Sequence, residues 1–507
     1  MAESLLLVSA FTLLVVWSIL KLSRVGHRDR RMPPGPPTLP VLGNAHQIPS
    51  VGLFKKFHEW AREYGPIFTL KFGPANVVVL CDREAIQKLL VEKGNIYSDR
   101  PPSYVGNLLT KGDHVALHQM TPEWREKRKV ISHNFSPMQL DQKHFKVQEA
   151  EATVLMNNLL ENPEGFFNHI RRYTASVITS LTYGQRAPTF DSFWAYGVYD
   201  VMTKWTASME PGANPPVDEF PFLQYTPSAL AFWKRRALDA GRTMDSTWAT
   251  ARRLVEERRA TGERRPCVID TLLDQYDAKG WRMSQHAFTN LMGELIEGGA
   301  DTTSAQLLTL ILAFAIYPDV QRKAQNQIDE LQATEYKGML IPKGTTLFIP
   351  TWAIHHMDTI YNDPEVFNPD RYANHEKLAN DYAGSSDWQN RDKHSRNTAN
   401  YQRSETNLLR RAHHYNYGAG RRICPGIHLA ERNMWRIAAK LLWAFEFSEP
   451  IDPKTGQVKH LDPHAYNPGI LQAPLPFEVQ IKARSARHVD KIREELDGAL
   501  QFLKQFD

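Results

Sequence analysis

The sequence predicts a mainly α-helical chain with small β-sheets, held to a membrane by one N-terminal anchor. Three observations carry that expectation. An apolar run near the N-terminus is followed at once by basic residues. A single helical pattern of over thirty residues occupies mid-chain, roughly 48 Å at 1.5 Å per residue. Strand-like segments are few and short, the clearest being a pair around Gly73-Pro74.

Taken in order, Leu5 to Leu20 is apolar apart from Ser9, Thr12 and Ser18. Its length lies between a signal-peptide core and a full span. Lys21, Arg24, Arg28, Arg30 and Arg31 follow it, and basic residues on that side keep the rest of the chain in the cytosol. This favours an uncleaved anchor over 1–22 against a removed signal peptide. Pro33-Pro34-Gly35-Pro36-Pro37 has fixed φ angles and few donors, so 23–40 reads as a basic, proline-rich hinge. The body is 41–507. Trp60 to Tyr64 closes a helical stretch. Pro66–Gly73 and Asn76–Asp82 read as paired strands. Residues 140–160 and 228–262 have helical periodicity with charged outer faces. The long helix starts after Ser284, a residue suited to cap it, and stops at Tyr317-Pro318. Its second half is apolar all round, which signals burial in a large core. A second membrane span is the weaker reading, because Leu307 to Ile316 is too short. Residues 374–412 are polar and read as a long loop.

Composition bounds the function. The chain has 507 residues, 42% hydrophobic and 23% charged, with Lys+Arg 61 against Asp+Glu 56. That balance excludes wholesale disorder and offers no concentrated basic face for nucleic acid. The three cysteines, Cys81, Cys267 and Cys424, are too few and too widely spaced for a disulfide framework or a paired-cysteine metal site. A His-based metal site at His355-His356 or His413-His414 is disfavoured, since adjacent histidines in a strand point to opposite faces and no carboxylate spacing accompanies them; both pairs read as exposed loop histidines.

One cysteine stands apart. Residues 417–426 read Tyr-Gly-Ala-Gly-Arg-Arg-Ile-Cys-Pro-Gly. Gly418, Gly420 and Gly426 permit positive φ and a close approach to a flat ligand. Arg421 and Arg422 are expected to lower the Cys424 thiol pKa and to bind anionic groups. A helix starting near Ile427 would present its N-terminus to the sulfur. A buried structural cysteine in a glycine turn is the plainer alternative.

This stretch resembles the heme-binding loop of the cytochromes P450, F-x-x-G-x-R-x-C-x-G, with Tyr417 in place of the usual Phe. The resemblance implies the P450 fold and makes Cys424 the axial thiolate ligand of heme b (iron protoporphyrin IX), a ligand that favours O–O cleavage. Trp124 and Arg128, one helical turn apart, resemble the family's propionate-binding pair, and Arg422 its second propionate contact. Gly298-Gly299-Ala300-Asp301-Thr302-Thr303 matches [AG]-G-x-[DE]-T-[TS] on the long helix. Two glycines there cost about 1 kcal/mol each against Ala, which suggests a kink or a flat ligand close by. Thr302 can bond a backbone carbonyl and open the helical ladder, and Asp301 is a candidate proton carrier. Pro369-Asp370-Arg371-Tyr372 resembles the P-E-R-F element beneath the heme loop. The likeness runs from the anchor to a C-terminal hairpin near Gly469–Leu471.

The family's E-x-x-R helix is missing between Ser304 and Cys424. Glu256-x-x-Arg259 has the letters but precedes the long helix. The text jumps near 332–333, as if a segment were deleted, and 393–412 looks inserted. Without its partners Arg371 would be a buried unpaired charge, costing several kcal/mol. The chain could therefore be a splice form, a mispredicted exon boundary or a decayed copy.

The resemblance implies a monooxygenase that inserts one atom of O2 into a small apolar substrate lying over the heme beside Gly298–Thr302. Asp301 and Thr302 would be catalytic, delivering protons. Electrons would come from NADPH through a membrane-bound flavoprotein, cytochrome P450 reductase, drawn to the surface around Arg421. The expected place is the endoplasmic reticulum membrane, single-pass, with the body facing the cytosol. The wording of the motifs is most similar to filamentous-fungal members that act on secondary metabolites. An inactive, heme-poor variant is one alternative. A heme-thiolate isomerase or peroxide user is another, disfavoured because it needs no Asp301-Thr302 relay.

Overall fold

The computed structural model describes residues 12–13, 16–17, 25–210, 212–326, 346–348, 351–357, 363–368, 415–469 and 471–507. Helix α1 (Leu53–Tyr64) buries Phe57, Trp60 and Ala61 on one face and stops at Gly65. Strands β1 (Ile67–Phe72) and β2 (Ala75–Leu80) pair antiparallel, Ile67 opposite Leu80, across the Gly73-Pro74 turn. A third strand, β3 (Thr346–Phe348), joins parallel to β2. Thr121 caps α2 (Pro122–Asn134) by accepting the Trp124 amide, and Pro122 sits at the first helical position, where its missing N–H loses nothing.

Six helices build the main core: α3 (Phe145–Glu161), α4 (Phe166–Tyr183), α5 (Phe193–Met209), α6 (Phe232–Ala260), α7 (Val268–Lys279) and α8 (Gln285–Ile316). Helix α8 is the central element. Ser284 caps it through the Ala287 amide, and it ends at Tyr317, as its sequence predicts. Its length and hydropathy would suit a membrane, yet it lies in the protein interior. Leu291, Ile296 and Ile311 are fully buried there with Ile178 and Leu181 of α4. Each such side chain contributes about 1.5–3 kcal/mol. Helix α6 comes so close that a Cβ on Gly293 would sit 2.4 Å from the Trp248 ring. Only glycine lets that indole lie flat on α8.

Helix α9 (Ile427–Ala444) packs on α8 and leads into β4 (Phe445–Ser448), which pairs antiparallel with β5 (Gln480–Ala483). Helix α10 (Ala486–Leu503) lies along α3 and buries Ile492, Ala499 and Leu503. A second core joins α1 to the β1–β2 sheet through Phe57, Trp60, Phe68 and Val79. Ala419 belongs to this second core and Leu429 to the helical one, so the cysteine loop bridges the two. The C-terminal hairpin is present, with Tyr466 bridged to Pro474.

Two expectations change. His355 ends a helix, Thr351–His355, rather than lying in an exposed loop, and accepts the Tyr415 amide at 3.3 Å. His356 stacks on Trp352 at 3.9 Å between ring centres. Aromatic packing at i, i+4 overrode the polar look of the pair. Of the anchor expected over 1–22, only 12–13 and 16–17 are described, helical with Leu13 and Trp17 exposed. Pro369–Tyr372, the 374–412 loop, positions 332–333 and His413-His414 lie outside the described residues.

Candidate active site

Cys424 differs from the other two cysteines in its surroundings. Cys81 and Cys267 are buried, and burial pushes both thiols up to about 12. Cys424 is only partly buried. It ends a loop shaped by close backbone contact. Gly420 has φ +62°, and a Cβ on it would lie 2.0 Å from the Leu90 carbonyl oxygen. The Cys424 amide donates to the Tyr417 carbonyl at 2.8 Å, closing the loop on itself. The Tyr417 hydroxyl donates to Glu431 on α9 at 2.5 Å. That bond explains a tyrosine where the family has phenylalanine: the ring is kept and its hydroxyl finds a partner.

The expected lowering of the Cys424 pKa is not what the loop gives. Burial pushes the thiol up, and the Gly426 amide and the Arg128 charge oppose that push. Arg421 and Arg422 do not supply the opposing charge. Arg422 turns away from the sulfur, its Nε donating to the Ser98 carbonyl at 2.8 Å and its Nη2 to the His118 carbonyl at 2.7 Å. Burial pushes its own pKa down to about 10, with Arg100 adding to the effect.

Three residues expected at the propionates meet beside this loop. Arg422 stacks over the Trp124 ring at 4.0 Å, and Arg128 lies 5.8 Å from the same ring. Arg128 Nη2 donates to the Ile423 carbonyl at 2.7 Å, one residue before the cysteine. The Trp124 indole donates to the Val115 carbonyl at 3.2 Å. A thiol, two guanidiniums and an indole N–H thus converge on one region.

On α8 the expected break is absent: the helix runs α-helical through Ile316. Thr302 does bond back, donating to the Gly298 carbonyl at 2.9 Å, without opening the ladder. The two glycines serve different ends. A Cβ on Gly299 would press Ile178 at 2.9 Å, whereas one on Gly298 would meet nothing within 4 Å. Gly298 and Thr302, one turn apart, are exposed on a helix whose neighbouring turns are buried. Asp301 is held toward its protonated form by burial, opposed by Arg171.

These observations fit a heme. Gly298 leaves room for a flat face, Gly420 lets the loop pack against the Leu90 backbone, Gly426 lies beside the sulfur, and the arginines match two carboxylates. Sequence reasoning missed the residues linking these parts. Glu294 and Glu297 of α8 contact His114 and Val115, as described below. Their signal was two acidic residues in a helix otherwise buried, at positions 294 and 297. Among the described residues no His/Cys/Asp/Glu cluster suits a separate metal ion.

Comparison with known proteins agrees with this geometry. A family model described as "Cytochrome P450" matches residues 33–335 and 330–481. A cytochrome P450 monooxygenase of Arthrobotrys oligospora is 36% identical over 539 aligned positions, covering 95% of this chain and 94% of the relative. The cytochrome P450 monooxygenase macC of Penicillium terrestre is 35% identical, covering 97% and 96%. Among solved structures, a zebrafish cytochrome P450 with abiraterone superposes with a TM-score of 0.58 at 19% identity, covering 85% of this chain and all of that one. That last likeness concerns the fold alone.

Proposed function

The chain belongs to the cytochrome P450 family and is a monooxygenase, and from that premise we propose a heme-thiolate enzyme of fungal secondary metabolism acting on a small apolar organic substrate. The single observation that carries the site is Cys424, the one partly exposed cysteine of three, on a glycine-thinned loop beside the Trp124–Arg128–Arg422 cluster. Cys424 would hold the heme iron, and Trp124, Arg128 and Arg422 its carboxylates. Gly298, Gly299, Tyr417, Gly420 and Gly426 would shape the cradle.

When bound, the heme activates O2, so that one oxygen atom enters the substrate and the other leaves as water with two electrons and two protons. The chain's own residues do the rest. Gly298 leaves the face of α8 open for substrate. Thr302 holds its hydroxyl on that face, anchored by the Gly298 carbonyl. Asp301 retains its proton longer than an exposed carboxyl because of its burial, and can pass it toward Thr302. Arg128 and the Gly426 amide offset part of the burial that raises the Cys424 thiol pKa.

The electrons come from NADPH through a membrane-bound flavoprotein reductase. The chain is anchored by residues 1–22 in the endoplasmic reticulum membrane, with the hinge at 23–40 and the 41–507 body in the cytosol. The basic residues after the apolar run support that orientation. A deletion near 332–333 draws support from the family match, which divides at 330–335. The relatives are named as monooxygenases and lend the heme-poor reading no support.

The test is reconstitution of the full chain in membranes. One heme per chain should be taken up, and NADPH with the reductase should reduce it. A chain that takes up none, or whose heme the reductase leaves oxidised, contradicts the proposal.

A further inference from the structure

Residues 113–118 form a strap pinned from two sides, and we propose that Glu294 and Glu297 are positioning residues for the Trp124–Arg422 pair, acting through this strap. The inference rests on the heme-thiolate reading and adds a mechanical link between the open face of α8 and the cysteine loop.

The link passes through one residue. Glu294 Oε2 accepts the Val115 amide at 3.0 Å. The Val115 carbonyl accepts the Trp124 indole N–H at 3.2 Å and Arg422 Nη1 at 3.5 Å. Three residues on, the His118 carbonyl takes Arg422 Nη2 at 2.7 Å. Val115 is thus tied to α8 through its N–H and to the heme-loop arginine through its C=O.

A second tie runs alongside. His114 Nδ1 accepts the Ala116 amide at 3.2 Å, so its Nε2 carries the proton that reaches Glu297 Oε2 at 3.1 Å. The other oxygen of Glu297 accepts the Trp248 indole N–H at 2.7 Å. Gly293 leaves the space that lets this indole lie against α8. At the strap's outer end Lys127 donates to the Asp113 carbonyl, and His286 pairs with the Asp113 carboxylate. His114, Lys127, Glu294 and Glu297 are all buried. Four buried ionisable groups, one on the strap and three packed around it from α2 and α8, carry a large desolvation cost. Holding a backbone stretch in a fixed place is a use that accounts for the arrangement.

Position on α8 adds to the case. Glu294, Gly298 and Thr302 are spaced by four residues, so they share one stripe of the helix. Glu294 therefore stands one turn from the open face where substrate is expected. Its Oε1 has no hydrogen-bond partner while buried. Burial pushes this carboxyl up, His114 and Lys127 opposing. A side chain whose essential act is to accept one amide should be replaceable by glutamine and by nothing apolar.

The experiment compares Glu294→Gln and Glu294→Leu in the full chain. Leu155→Ala, a cavity at a buried α3 residue that takes no part in the strap's hydrogen bonds, serves as the control for general destabilisation. Two quantities are measured: the rate of heme loss to excess apomyoglobin, and hydrogen exchange of the 113–118 amides in heme-free protein. Glu294→Leu should lose heme roughly tenfold faster, a buried amide having lost its acceptor, and should speed exchange across 113–118. Glu294→Gln should stay within about threefold of the parent in both. The proposal is overturned if Glu294→Leu loses heme no faster than Leu155→Ala, if exchange across the strap is unchanged, or if Gln fails where Leu fails. A parent chain that binds no heme refutes the heme-thiolate reading instead, and the exchange measurement still decides the strap.

Discussion

Alanine at Gly420 should cost the chain most of its heme affinity, and the structure sets the size of the loss. The new Cβ would stand 2.0 Å from the Leu90 carbonyl oxygen, so loop and neighbour must part by about 1 Å to reach ordinary contact. Overpacking of that kind costs about 1–3 kcal/mol. The left-handed φ of +62° adds about 1–2 kcal/mol for any residue with a Cβ. Without heme the loop can relax, whereas with heme the sulfur must stay in place, so the cost falls on binding. At 1.4 kcal/mol per factor of ten, about 2–5 kcal/mol is a loss of roughly 30- to 3,000-fold. Gly418→Ala is the internal comparison. Its φ is +75°, but a Cβ there meets nothing within 4 Å, so only the backbone cost of about 1–2 kcal/mol applies, near tenfold. Titration of the heme-free proteins with hemin measures both. Equal affinities for the two variants would refute the argument from close approach.

Other changes test other parts. Thr302→Ala should lower product formed per electron pair by roughly an order of magnitude, read as NADPH consumed against product, since it removes a positioned proton donor; unchanged coupling removes Thr302 from the relay. Arg172→Met should destabilise the protein by about 3 kcal/mol in urea unfolding, because it strips a partner from the buried Glu151 carboxylate, bonded at 2.6 Å to Arg172 and at 3.0 Å to Arg186. A loss below about 1 kcal/mol contradicts that. Burial alone would raise the Glu151 pKa, but the two arginines hold it below the usual carboxylate range. Its stabilising contribution is therefore present above the unfolded pKa and disappears as pH falls through the lower folded one. Unfolding midpoints for the parent should drop on acidification more steeply than for Arg172→Met.

Local signals were legible and distant ones were not. Ser284 and Tyr317 mark the two ends of α8 because capping and helix termination are written within one turn. The β1–β2 hairpin shows in short β-branched and aromatic runs on either side of a glycine-proline turn. Gly420, Cys424 and Gly426 announce themselves by spacing. The Cys424 pKa direction did not follow from its neighbours in sequence, since Arg422 is bonded to Ser98 and His118 and the charge that acts on the thiol is Arg128, almost three hundred residues away. His114 and Glu297 are likewise separated by 183 positions, a pairing that no periodicity encodes. Helix α10 was readable and missed: Val489, Ile492, Leu496, Ala499 and Leu503 recur at helical spacing after Ser485.

Central to the account is the bond between the Cys424 sulfur and heme iron. The direct measurement is the carbon-monoxide difference spectrum of the reduced, heme-supplied protein, taken beside Cys424→Ala. The parent should show the band of a heme thiolate and the alanine variant should lack it. A band that survives the substitution, or a parent that stays colourless with hemin in excess, contradicts the assignment.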